Sequence, residues 1–231
     1  MRLFALSTAE TGTGMALFEG PDLVCESYWA GSQSHSKRLL TMVAQMVVDQ
    51  AGLTMQEIDG FIAARGPGSF TGLRIGISVV KGMAAAMAKP CAGVSSLDGV
   101  AFRFSSASVP VCVMMDARRQ EVYTACYRFN RGVLVEKSPE QVCAPEAAIK
   151  SAGPDVLFAG SGSKAYLDMI RDLSGAASQV APSYMDAVSA AALAAPALAD
   201  PLFFTSGRHE LVPAYLRQSD AQIHLSQKSI S

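Results

Sequence analysis

The densest run of chemistry-bearing backbone in this 231-residue chain is Ala64-Arg65-Gly66-Pro67-Gly68-Ser69-Phe70-Thr71-Gly72-Leu73-Arg74-Ile75-Gly76. A glycine-rich loop between a strand and a helix N-terminus can present backbone N–H groups to an anion. The spacing is not that of a Walker A loop, because no Gly-Lys-Ser/Thr follows and Arg74 is not where that lysine stands. It is not G-x-G-x-x-G either, since Thr71 follows Gly68-Ser69-Phe70 and Gly72 arrives one position late. From spacing alone the plainer reading is preferred. Gly66, Gly68 and Gly72 satisfy a tight turn, while Gly72 and Gly76 admit close helix packing. The alternative keeps Gly66, Gly68, Ser69, Thr71 and Gly72 as a degenerate anion or nucleotide loop.

Other catalytic constellations are thin. His35, His209 and His224 are far apart and form neither H-x-x-x-H nor H-E-x-x-H, so metal ligation has little support. Cys25, Cys91, Cys112, Cys126 and Cys143 are odd in number and never spaced C-x-x-C. They read as small core hydrophobes of a reducing, cytoplasmic compartment. None of them is expected at a helix N-terminus beside basic residues, the context that activates a thiol. No G-x-S-x-G elbow offers a serine nucleophile. Glu10, Asp59, Asp98 and Asp116 fall near the ends of expected strands, where α/β folds concentrate chemistry, and each is read as structural or solvated.

The elements that position these residues come next. Three short β runs, Leu3 to Thr8, Gly14 to Phe18 and Leu23 to Trp29, are separated by turn residues and predict an antiparallel meander. A helix is expected from Ser36 to Ala51, where Leu39, Leu40, Val43, Met46 and Val47 make one apolar stripe. Thr54-Met55-Gln56-Glu57 has the pattern of a capping box. A buried strand at Gly60 to Ala64 leads into the glycine loop, a helix from Thr71 to Ala88 stopped by Pro90, and a strand at Cys91 to Val94. The second half is less regular. Strands are expected at Val109 to Met115, Glu121 to Phe129, Val133 to Lys137 and Val156 to Gly160, and helices near Lys164 to Leu173 and Asp186 to Leu198.

Composition bounds the answer. Nineteen basic against twenty acidic side chains, a net charge of −1, lack the cationic excess of a direct nucleic-acid binder. Arg118-Arg119 and Lys37-Arg38 are short basic pairs that read as solvated faces. The chain is 50% hydrophobic and 17% charged, which excludes intrinsic disorder. Lys81, Lys89 and Pro196 interrupt the longest apolar stretches, so no membrane-spanning segment is expected. The N-terminal run is too short for a signal peptide and reads as a strand.

The glycine-loop segment Ala64–Gly76 resembles the signature of the TsaB (YeaZ) family, proteins that help make threonylcarbamoyladenosine in tRNA. The resemblance extends in order to Gly93-Val94-Ser95-Ser96-Leu97-Asp98, to Asp116-Ala117-Arg118-Arg119-Gln120-Glu121-Val122-Tyr123, and to Pro213-Ala214-Tyr215-Leu216-Arg217. It implies an α/β fold of two ribonuclease-H-like lobes in the actin-like/Hsp70-like ATPase (ASKHA) superfamily. The lobes are expected at residues 1–104 and 105–231. The last segment either returns to the first lobe or stays unstructured, the polar stretch Ser219 to Ser231 being expected to be disordered.

The same resemblance implies lost chemistry. The catalytic paralogue TsaD carries H-x-x-x-H where this chain has Ser96 and Val100, neither a fit ligand for that metal. The family's first strand usually reads Leu-Asp-Thr-Ser, and Leu6-Ser7-Thr8-Ala9 lacks the carboxylate that would hold a Mg²⁺-bound nucleotide. A non-catalytic subunit follows. It would bind no cofactor alone, with ATP or ADP and metal on partner subunits, and would pair with TsaD through helices 36–51 and 71–88. The expected contacts are Leu39, Leu40, Val43, Met46, Gly72, Gly76, Val80 and Met83. TsaE would dock on that pair, tRNA would be reached only through the complex, and the lone chain would self-pair as a homodimer. The alternatives are an autonomous ATP-dependent enzyme or glycoprotease-like peptidase, and a direct RNA-binding module.

Overall fold

Alternating turn residues and β-branched or aromatic runs fold residues 2–29 into three antiparallel strands, β1 (Arg2–Ser7), β2 (Thr13–Glu19) and β3 (Asp22–Trp29). The computed structural model describes residues 1–31, 35–207 and 209–217. His224 and the stretch Ser219–Ser231, expected to be disordered, lie outside the described residues. A helix α1 (His35–Ala44) follows and widens into a π-helical turn, Gln45–Gln50. The expected stripe is largely realised: Leu39, Val43, Met46 and Val47 are buried, but Leu40 is 60% exposed. Glu57 Oε2 accepts from the Thr54 N–H at 2.8 Å and from its Oγ1 at 3.0 Å, which holds the short turn Met55–Glu57.

Strand β4 (Gly60–Gly66), helix α2 (Phe70–Met87) and strand β5 (Cys91–Ser95) complete the first sheet. Its order is β3-β2-β1-β4-β5, with β4 and β5 parallel to β1. By length and composition alone α2 is apolar enough to cross a membrane, in contrast to the expectation of no such segment. It packs on β4, β1 and β5 and carries Arg74 and Lys81, as a sheet-covering helix does. Ala88 ends it in the left-handed conformation, φ 54°.

Helix α3 (Ser96–Ala101) leads to a second sheet built from β6 (Val111–Asp116), β7 (Val122–Asn130), β8 (Val133–Lys137), β10 (Leu157–Ala159) and β11 (Gln179–Val180). Read from the far side, its order β8-β7-β6-β10-β11 repeats that of the first sheet, a three-stranded meander followed by two parallel strands. This duplication is the two-lobed ribonuclease-H-like architecture of the ASKHA superfamily. Between the parallel strands lie α4 (Pro145–Ala152), α5 (Ser161–Ala165) and α6 (Leu167–Leu173). The sequence pattern missed α4 and the short strand β9 (Gln141–Cys143), which pairs with β7. It also merged α5 and α6, which Tyr166 separates at φ −116°.

Helix α7 (Ala190–Ala199) packs on α3, β1 and β2, so the chain returns to the first sheet. One apolar core runs through both sheets: Leu6, Phe61, Val100, Val113, Tyr127 and Leu193 belong to it. A second core, with Cys112, Met114, Ile149 and Phe158, lies under α4 and α6.

Candidate functional site

The glycine loop is packed against the end of β1. Ser69 donates its N–H to the Ala9 carbonyl at 2.7 Å, and its Oγ caps α2 by accepting from the Gly72 N–H at 3.2 Å. Thr8 Oγ1 donates to the Gly72 carbonyl at 2.7 Å. A Cβ on Gly72 would overlap the Thr8 carbonyl oxygen, and one on Gly76 the Thr8 hydroxyl. Gly68, at φ +156°, faces the Ala9 carbonyl, and Gly66, at φ +119°, the Ala214 carbonyl. The glycines thus let α2 approach the end of β1, and the C-terminal segment approach β4, at backbone contact. The N–H groups of Ser69 and Gly72 are bonded within the chain, and the side chains of Ser69 and Thr71 are exposed.

Beside this loop the two lobes meet through the β1–β2 turn. Ser161 Oγ, at the start of α5, accepts from the Asp116 N–H at 3.1 Å and donates to Glu10 Oε1 at 2.7 Å. Glu10 Oε2 accepts from the Val188 N–H at 3.1 Å. One carboxylate therefore ties the β1–β2 turn to the second sheet and to the approach of α7. The turn after Asp116 holds Arg118, Arg119 and Gln120 in the left-handed region, φ 59°, 53° and 57°. Three consecutive non-glycine residues there carry a backbone strain of roughly 1–2 kcal/mol each.

The C-terminal segment straps that turn to α2. Arg217 donates to the Ala117 carbonyl at 2.9 Å and pairs with Glu121. Two residues earlier the Tyr215 ring lies 4.9 Å from that of Phe70, and Arg74 Nε donates to its hydroxyl at 3.2 Å. The Arg74 guanidinium also covers the Phe70 ring at 3.8 Å. The Ala214 N–H donates to the Arg65 carbonyl at 2.8 Å, which continues the strap along β4.

The four acids expected near strand ends divide in two. Asp59 accepts from the Arg2 N–H at 2.8 Å, and Asp98 accepts from Lys137 Nζ at 2.6 Å and Tyr127 OH at 2.8 Å, so both are structural. Burial of Tyr127 beside that carboxylate pushes its phenol far above the ordinary range. The Glu10 carboxylate instead accepts from Ser161 and lies near the charges of Asp116 and Asp186, while the Asp116 carboxylate accepts from the Arg118 N–H at 2.8 Å. Burial raises the Glu10 carboxyl, opposed by its bonds from Ser161 and Val188. Asp186 is 6% exposed, accepts from the Gly160 N–H at 3.3 Å through Oδ1, and has no hydrogen-bond partner for Oδ2. Burial, with Glu10 nearby, pushes its carboxyl up to about 6 against the attraction of Lys164 and Arg103. Asp186 was not anticipated from sequence, where it stands in no motif.

A raised folded-state carboxyl favours the folded state while protonated, and that advantage disappears as pH climbs from about 4 to about 6. Asp186→Asn keeps the acceptor for Gly160 and removes the charge. It is expected to stabilise the chain by about 1–2 kcal/mol at pH 8 and to have little effect at pH 4. Thermal melts of both proteins across that range check it; equal gaps at both ends would contradict the account.

The expected partner contacts are mostly interior. Leu39, Val43, Met46 and Val80 are 0–2% exposed and Met83 8%, so they pack the core. Gly72 and Gly76 abut Thr8. Leu39, Met46, Val80, Gly72 and Gly76 are thus taken up by the core of this chain, whereas Val43 and Met83, though largely buried, also line an apolar groove. Leu40 is exposed, and beside it opens that groove of about 500 Å³ between α1 and α2, also lined by Leu40, Ala44, Val79, Gly82, Ala86 and Met87.

Ser7 is buried, its Oγ 3.5 Å from the Ala9 N–H. Ser96 is buried with an unpartnered Oγ, and Val100 lies in the apolar core. Among the described residues no three His, Cys, Asp or Glu side chains are grouped to hold a metal ion. The His209 ring stacks on Phe203 at 4.1 Å. Cys143 stands two residues before α4 with the Ala148 N–H against its sulfur. Burial outweighs that contact and raises the thiol.

Known proteins with this arrangement are found by sequence and by structure. The family model described as TsaD: tRNA N6-adenosine threonylcarbamoyltransferase matches residues 30–225. The tRNA threonylcarbamoyladenosine biosynthesis protein TsaB of Bacillus subtilis is 28% identical over 230 residues, 96% of either chain. TsaB of Escherichia coli is 32% identical over 176 residues, 73% of this chain and 75% of that one. A solved structure of YeaZ from Pseudomonas aeruginosa superposes with a TM-score of 0.74 at 30% identity, covering 93% of this chain and 99% of that one. A shared duplicated topology and sequence identity over most of the length place this chain in the TsaB (YeaZ) family.

Proposed function

We propose that the chain serves threonylcarbamoyladenosine biosynthesis as a non-catalytic subunit that pairs with a TsaD-type threonylcarbamoyltransferase. The observation that carries this reading is the open apolar groove between α1 and α2, with small residues Ala44, Gly82 and Ala86 on its walls. Small residues let a partner helix approach closely, and a groove with so little polar lining is suited to a facing apolar helix. Alone, the chain would cover the same groove with a second copy.

The junction of the two lobes supports the non-catalytic part of the reading. In this fold a nucleotide would sit between the lobes with its phosphates near the glycine loop. Here the Ser69 and Gly72 N–H groups are bonded internally, and Glu10, Asp116 and Asp186 set acid at the junction of the lobes. These residues fit poorly around a polyphosphate. Nucleotide and metal are therefore assigned to the partners, with TsaE docking on the pair and tRNA reached through the complex in the cytoplasm.

Reconstitution tests this. TsaD, TsaE, threonylcarbamoyl-adenylate and tRNA should modify the adenosine beside the anticodon only when this chain is present, and the chain alone should not turn over ATP. Modification at the full rate in its absence would overturn the proposal.

A further inference from the structure

Two of the five cysteines stand directly opposite each other on neighbouring strands, Cys112 on β6 and Cys126 on β7. The Cys126 N–H donates to Ser138 Oγ at 2.9 Å, and its carbonyl accepts from the Ser138 N–H at 2.9 Å. Both backbone groups of Cys126 thus point away from β6. Cys112 and Cys126 therefore form a non-hydrogen-bonded pair, the kind in which facing Cα atoms approach to about 4.5 Å and side chains are closest. A disulfide accepts Cα separations of about 4.4–6.8 Å, so the register brings the two sulfurs within bonding range without moving the backbone.

The surroundings distinguish the two thiols. Cys112 is fully buried among Met114, Ile149 and Phe158, with Thr124 Oγ1 3.6 Å from its sulfur. Cys126 is half-buried at the margin of that core. Cys143 is also on β7's side of the sheet, but it faces Val122, four residues along the strand from Cys126. At about 3.3 Å per residue that is roughly 13 Å, out of reach of a disulfide. Cys25 and Cys91 belong to the other sheet.

We propose that Cys112 and Cys126 form a reversible dithiol–disulfide site, oxidised by a peroxide through the accessible sulfur of Cys126. The neighbouring Cys112 thiol holds the Cys126 thiol below its ordinary range, while its closeness to Cys126, together with burial, raises Cys112 and keeps it protonated. The thiolate is the nucleophile, so attack begins at Cys126. Its sulfur takes the terminal oxygen of hydrogen peroxide, the O–O bond breaks, and the departing hydroxide gains a proton from solvent as water. This leaves a sulfenic acid at Cys126. The Cys112 sulfur, giving up its proton, then attacks the Cys126 sulfur. The S–O bond breaks and the second water leaves. Two thiols and one peroxide become one disulfide and two waters, the sulfurs losing the two electrons that the peroxide oxygens gain.

The full chain, reduced and freed of reductant, is treated with equimolar hydrogen peroxide, then denatured in an alkylating agent and mapped by peptide mass spectrometry. The thiols of Cys112 and Cys126 should vanish together, one for one, with a linked peptide two hydrogens lighter that dithiothreitol restores. Cys25, Cys91 and Cys143 should remain alkylated. In Cys112→Ser, Cys126 should instead be trapped by dimedone as its sulfenic acid; in Cys126→Ser, Cys112 should stay reduced. Melting curves establish that the variants are folded, and the wild-type mapping stands whatever they do. A disulfide joining any other pair, a Cys126 that stays free while other thiols oxidise, or undiminished loss of the Cys112 thiol in Cys126→Ser would overturn the site.

Discussion

Gly72→Ala is expected to destabilise the chain by about 2 kcal/mol, lowering its melting temperature by about 4–8 °C. Gly72 lies in the first turn of α2, where the new Cβ would meet the Thr8 carbonyl, a backbone atom held by β1 and unable to swing away. Relief requires α2 to lift from the sheet, which also lengthens the bond from Thr8 Oγ1 to the Gly72 carbonyl. Overpacking of this kind costs about 1–3 kcal/mol and sometimes more, against which alanine's better helix propensity returns about 1 kcal/mol. Gly82, on the same helix, has open space around its Cβ position and ordinary backbone. There the propensity stands alone, and Gly82→Ala should stabilise by about 0.5–1 kcal/mol. One substitution on one helix thus has two signs. Melting both variants beside the wild type checks the pair; a stabilised Gly72→Ala would show that the close approach of α2 to β1 is absent.

The contrast also marks where reading the residues stops. The glycine loop was visible as a loop, and close packing was the preferred meaning of its glycines, because spacing excluded both phosphate-binding patterns. What the glycines pack against, Thr8, Ala9 and Ala214, required the fold. The first sheet was legible because its strands are five to eight residues long and bounded by turn residues such as Gly20. In the second half, β10 was foreseen at Val156 to Gly160, but β9 and β11 span only three and two residues, too short for alternation to register. The tight turn at Arg118–Gln120 carries no glycine or asparagine to announce it.

Long-range partnerships account for the rest of the site. Arg217 meets Glu121 across 96 residues and Glu10 meets Val188 across 178, separations at which no spacing rule operates. Asp186 acquires its raised carboxyl only because the fold encloses it beside Gly160 and Glu10. The motif Pro213-Ala214-Tyr215-Leu216-Arg217 could be matched to a family, but its work as a strap from α2 to the β6–β7 turn is a property of the folded chain.

A helix stripe read from sequence identifies an apolar face without saying what covers it, and a pair of charge substitutions separates the possibilities. Val80 and Leu40 both belong to the expected partner face, yet Val80 is 0% exposed and Leu40 60%. Val80→Glu places a carboxylate in the core between α2 and the sheet. The loss of valine packing and the desolvation of the acid together cost about 4–5 kcal/mol, a large share of the 5–15 kcal/mol that holds a domain of this size. That protein should melt far below the wild type or fail to accumulate. Leu40→Glu trades one good helix former for another on an exposed face, and its stability should stay within about 0.5 kcal/mol of the wild type. Its effect should fall on association, because a carboxylate at the mouth of the groove beside Ala44 and Val79 would be stripped of water by any apolar helix seated there. A central contact of that kind is worth about 2 kcal/mol or more, so binding to the TsaD-type partner should weaken by about 30-fold or more. Sedimentation and co-purification, with the melting curve taken alongside, read the two effects separately. A folded Leu40→Glu protein that pairs as tightly as the wild type would place the partner elsewhere on the surface.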